Sequence, residues 1–173
     1  MYPPTRVERP ARVFLLDHGR TSSLVLPQGE ALVRYSYGEW DWYARNRTGV
    51  FRGSGALGVG TRGALGRRAL EAGPDLSAVR AALAIPIESA WRIDVPADKA
   101  QSLARDLDRV FRARAGEAVD NPRMGLRFVP HPADYSLAQN SNHMTATWLR
   151  RMDCRVEMRG PLSHWRVVRG DSG

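Results

Sequence analysis

The chain has 173 residues, 43% of them apolar, with 26 Lys+Arg against 18 Asp+Glu and a net charge of +8. That apolar share excludes global disorder, and the length suits one domain with a core of its own. A single cysteine, Cys154, excludes an intramolecular disulfide framework and a multi-cysteine zinc site, and no apolar run is long enough for a transmembrane helix.

Residues 1–11, with Pro3, Pro4 and Pro10, read as a flexible extended arm ahead of a single domain over 12–173. The start carries no long apolar run, and Val13 to Leu16 is only strand-sized, so no secretory leader is expected and the cytoplasm is the expected compartment. A buried strand is predicted over 12–17 and a second over 22–26, with a polar turn between them. Pro27-Gln28-Gly29-Glu30 is a hairpin turn into a third strand over 31–37. There Val33, Tyr35 and Tyr37 suit a core face, alternating with Leu32, Arg34 and Ser36. Gly38 to Ala44, with Trp40, Trp42 and Tyr43, suggests a turn and a short helix.

Residues 49–66 hold seven glycines and read as a loop or lid. No Lys-Ser/Thr ending follows, so this is not a phosphate-binding P-loop. Helical character returns over 77–83. A strand is predicted over 89–95, with Trp91, Ile93 and Val95 on one side and Arg92 and Asp94 on the other. The clearest helix spans 98–114, where Ala100, Leu103, Ala104, Leu107, Val110 and Phe111 keep helical spacing and charges fill the opposite face. A strand over 125–129, a helix over 142–152 and two short strands over 155–158 and 165–168 complete the chain. Strands, then helices, then strands give an α+β fold: an antiparallel sheet packed against two or more helices.

The positive charge is carried almost wholly by arginine, since Lys99 is the only lysine. The arginines are scattered rather than clustered, which suits a solvated surface better than a nucleic-acid footprint. Cys154 reads as a small buried apolar residue. His131, between prolines, and His164 do not make a metal-ligand spacing with the other histidines.

The segment with most chemical content is Asn140-Ser141-Asn142-His143-Met144-Thr145-Ala146-Thr147-Trp148-Leu149. Asn and Ser at a helix start cap orphan backbone N–H groups. The same position favours negative charge, so a first-turn residue can serve as nucleophile with backbone amides as an oxyanion hole. This segment, with Asp17-His18-Gly19-Arg20-Thr21-Ser22-Ser23-Leu24-Val25-Leu26-Pro27 and Tyr35-Ser36-Tyr37-Gly38-Glu39-Trp40-Asp41-Trp42-Tyr43, resembles an uncharacterised bacterial family sometimes noted in urease gene regions. That family belongs to the circularly permuted papain-like superfamily.

The resemblance covers residues 12 to 169. It implies a permuted papain-like fold and an ancestral cysteine-dependent amide or ester hydrolysis, or acyl transfer. In that superfamily a histidine lies at an early strand, a polar orienting residue follows, and the nucleophilic cysteine opens a later helix. Here Ser141 holds the cysteine position and Thr21 the histidine position. If the chain is active, Ser141 is the expected nucleophile, His18 the base in place of the family's histidine and Glu39 the orienting group, with Thr21, Trp40, Asn140, Asn142 and His143 lining the site.

A thiol can be ionised by a helix N-terminus and an imidazolium, whereas a serine hydroxyl needs a positioned base. The expectation is therefore a degenerate, serine-bearing member with little or no activity. The alternative is a non-catalytic binding protein for a peptide, an acyl ligand or, less favoured, a nucleic acid. Neither a metal nor a cofactor is expected.

Overall fold

A computed structural model describes residues 1–44, 60–136, 139–158 and 165–168. Its frame is one seven-stranded sheet, antiparallel throughout, in the order β5-β1-β2-β3-β4-β7-β6. The strands are β1 (Pro10–Asp17), β2 (Ser22–Gln28), β3 (Ala31–Glu39), β4 (Gly63–Leu70), β5 (Ser89–Pro96), β6 (Val119–Asn121) and β7 (Leu126–Pro130). Among the described residues three α-helices accompany them: α1 (Leu76–Ala81), α2 (Ala97–Ala113) and α3 (Ser141–Arg150). The architecture is α+β, as the element order predicted.

One face of the sheet carries the main core. Val13 and Leu15 of β1, Leu24 and Leu26 of β2 and Val33, Tyr35 and Tyr37 of β3 meet α2 and α3 there. On α2 the stripe Ala100, Leu103, Ala104 and Leu107 is buried. Each fully buried leucine contributes about 2 kcal/mol. On the other face the alternating set Leu32, Arg34 and Ser36 is buried as well. Two smaller clusters cover it. Phe14, Leu16, Val25, Leu32 and Leu70 pack with Val79 and Leu83, and farther along Trp40, Tyr43, Ala64, Leu126 and Phe128 pack together.

Several predicted elements shift. The last part of the glycine-rich stretch is not loop but the start of β4; residues 49–59 lie outside the described residues. Gly66 is there for close approach rather than looseness, because a Cβ on it would stand 2.6 Å from the Phe128 ring. The three-residue β6 was not expected. It joins β7 through a turn in which Gly125 takes φ +58°. The helix expected near 38–44 is a single π-helical turn over Trp40–Ala44, after β3 runs on through Glu39.

The strands expected over 155–158 and 165–168 do not form. Arg155 makes one isolated bridge to Tyr2, and the Val168 N–H donates to the Met1 carbonyl. The expected arm is accordingly tied down at its start. Met1 is buried in the main core, and the Arg155 guanidinium lies 4.1 Å from the Tyr2 ring centroid. Among the described residues, no helix is long and apolar enough to cross a membrane.

Candidate functional site

Helix α3 starts where the sequence places a cap. Asn140 has extended backbone angles, and its side-chain Oδ1 accepts the His143 N–H at 3.1 Å. This satisfies one of the orphan donors of the first turn. His143 Nδ1 lies 3.0 Å from the same oxygen, so that nitrogen carries the proton. The His143 ring thus serves its own helix cap.

Ser141 is the first helical residue and is only 2% exposed. Its Oγ accepts the Ser22 N–H at 3.2 Å and donates to the Ser22 carbonyl at 3.3 Å. The ladder between β2 and β3 begins at Ser23↔Ser36. One residue before it, the Ser141 hydroxyl does for Ser22 what a strand partner would do. Around this seam Ser22 Oγ donates to Asn142 Oδ1 at 2.9 Å, and Ser36 Oγ donates to the Ser22 carbonyl at 3.3 Å. The N-terminus of α3 is stitched to the start of β2 by these bonds.

Tyr43 approaches the same seam from the π-helical turn. Its ring lies against Gly38, where any Cβ would collide with it. The Tyr43 hydroxyl faces Thr21 and Ser141 without reaching full hydrogen-bond geometry. Burial pushes its phenol well above the ordinary range, with Tyr135 adding to the effect and the two facing hydroxyls opposing it. Glu39 is buried at the end of β3, and its Oε2 accepts the Trp42 N–H at 2.6 Å. It caps the turn that carries Tyr43. Tyr135 is pushed up to about 12, first by burial and then by Glu39. Trp40 is buried in the cluster with Tyr43 and Phe128, and the Arg62 guanidinium lies 5.3 Å from its ring centroid.

His18 is committed elsewhere. Its Nδ1 lies 2.8 Å from the Pro86 carbonyl and its Nε2 2.9 Å from Ser23 Oγ. A carbonyl can only accept, so Nδ1 bears the hydrogen and the neutral ring offers Nε2 as acceptor to the Ser23 hydroxyl. Arg34 Nε donates to Ser23 Oγ at 3.0 Å and Nη1 donates to the Met124 carbonyl at 2.9 Å. Arg34 Nη2 stands 3.4 Å from His18 Nε2. Burial, and next the Arg34 charge, push His18 down to about 4. Burial, and next Arg68, bring Arg34 down to about 9. The imidazole is therefore neutral at pH 7 and held in one tautomer.

The structure thus brings Ser141, Thr21, Asn140 and Asn142 together with Ser22 and Tyr43. It does not bring His18 to Ser141. The reason is the period of two along a strand. Ser22 turns its side chain toward α3, while Ser23 turns toward Arg34 and His18. Glu39 holds a backbone amide rather than an imidazole. Sequence reasoning missed Ser22, Ser23 and Arg34. The one signal available was an arginine inside the apolar strand Leu32 to Tyr37. Compared with family models, curated proteins and solved structures, the chain matches none.

Proposed function

We propose that this chain is a non-catalytic protein of permuted papain-like ancestry, whose former active site now serves as a clamp between helix and sheet. The three segments that resemble the family supply Thr21, Tyr43 and Ser141, which meet at one seam. The observation that carries the reading is the state of the Ser141 hydroxyl. It is buried, bonded to both backbone groups of Ser22 and, among the described residues, without an imidazole among its hydrogen-bond partners. Among the described residues, a hydroxyl so placed has no imidazole to take its proton. In the ancestor a thiol at position 141 and an imidazole at position 21 would ionise each other beside the helix N-terminus.

The test uses intact-mass spectrometry. A fluorophosphonate should leave Ser141 unlabelled in the natural chain; labelling at Ser141 would contradict the silent site. The double variant Thr21→His/Ser141→Cys, with its circular dichroism unchanged, should be alkylated by iodoacetamide at least tenfold faster at pH 6 than Ser141→Cys alone. Equal rates would remove the papain-like ancestry. Cys154 does not interfere, because burial, and next Asp153, push its thiol up to about 12.

A further inference from the structure

We infer that the free edge of β5 pairs with β5 of a second copy of this chain, in the register that sets Arg92 opposite Asp94 of the partner subunit. Among the described residues, β5 has only β1 as a strand neighbour. An eight-residue strand with an open edge presents unpaired N–H and C=O groups, and such an edge either is blocked or finds a partner.

The direction of the open groups follows from the bonding pattern. The Ala97 N–H donates to the Arg9 carbonyl, one step beyond the Pro10↔Pro96 pair. The alternation of an antiparallel ladder then assigns Val95, Ile93 and Trp91 to β1. The opposite side of β1 agrees, since the His18 N–H donates to the Thr21 carbonyl and so directs the even-numbered residues of β1 toward β2. Ala90, Arg92 and Asp94 therefore aim their backbone groups outward.

Only a few registers match outward groups with outward groups about a two-fold axis. Centring on Arg92 sets two guanidiniums face to face, and centring on Asp94 sets two carboxylates face to face. Like charges directly opposite are destabilising. Centring on Ile93 instead pairs Arg92 with Asp94 of the partner subunit twice over. Both side chains are close to half exposed, and their contact within one chain is loose at 3.8 Å. Pro96 lacks an N–H, but in this register its carbonyl still accepts from Ala90 of the partner subunit. About six backbone hydrogen bonds result. Ile93 and Val95 stay buried on the opposite side, which keeps the charged face fixed. This interface does not depend on the reading of Ser141.

The experiment is sedimentation equilibrium of the full chain at low salt. The natural chain should be a dimer. Arg92→Asp alone, or Asp94→Arg alone, should weaken association at least tenfold with circular dichroism unchanged. The double exchange Arg92→Asp/Asp94→Arg should restore it. A monomeric natural chain would overturn the interface. So would a dimer indifferent to both single exchanges, or a double exchange that stays as weak as the singles.

Discussion

Two serine hydroxyls, one residue apart on β2 in what they contact, are held in opposite ways. At the seam, Ser141 reaches Ser22 from a helix N-terminus and has no imidazole partner among the described residues. On the other face, Ser23 has an imidazole at 2.9 Å and a guanidinium at 3.0 Å, but sits fully buried within a paired strand. Nucleophilic catalysis needs a base and an anion-stabilising set of amides on the same hydroxyl. Among the described residues, this chain sets the imidazole against Ser23 and the helix N-terminus at Ser141, on separate hydroxyls. A serine beside a histidine is therefore no sign of catalysis until burial and backbone pairing are known.

The larger expected effect breaks the second region. His18 has a folded pKa of about 4, below the value of 6.5 for an unperturbed ring. The unfolded chain therefore takes up its proton first as pH falls. The stabilisation is fully present above pH 6.5 and is lost as pH falls through 4, amounting to about 3 kcal/mol. Urea unfolding at pH 7 and pH 4 should show that loss in the natural chain. His18→Asn should reduce it; His131, also lowered by burial, acts with the same sign and is common to both. An unchanged pH dependence in His18→Asn would mean that the ring is not held neutral by its neighbours.

A smaller effect sharpens the first region. Ser141→Ala removes two bonds to the Ser22 backbone and should cost about 1 kcal/mol in the same urea measurement, with the pH dependence intact. A neutral substitution would mean that the seam does not clamp α3. A substitution that also flattened the pH dependence would mean that the two networks are one.

Much of the frame was legible because it obeys simple periods. The apolar runs over 13–16 and 24–26 mark strands buried on both faces, and the helical spacing of Ala100, Leu103 and Leu107 marks a helix face turned to the main core. Strand β4 was hidden because Gly63 and Gly66 suit contacts with Tyr37 and Phe128 that only the folded chain supplies. Trp165 and Val156 are apolar because they join the main core, not because they alternate along strands. At the site, the Asn140 cap and the place of Ser141 were readable from local chemistry. The partners of His18 were not, since the Pro86 carbonyl carries no side-chain signature. The burial of Arg34 was not legible for a related reason: alternation along one strand does not show what covers its second face.

The separation of the two sites turns on which hydroxyl the His18 imidazole serves, and long-range proton–nitrogen NMR of the histidine side chains reads this directly. In the natural chain His18 should be the Nδ1–H tautomer and remain neutral at pH 5. Ser23→Ala should shift its nitrogen resonances and its titration, while Ser141→Ala should leave both in place. The reverse pattern, with His18 responding to Ser141→Ala and indifferent to Ser23→Ala, would contradict the separation of the two sites.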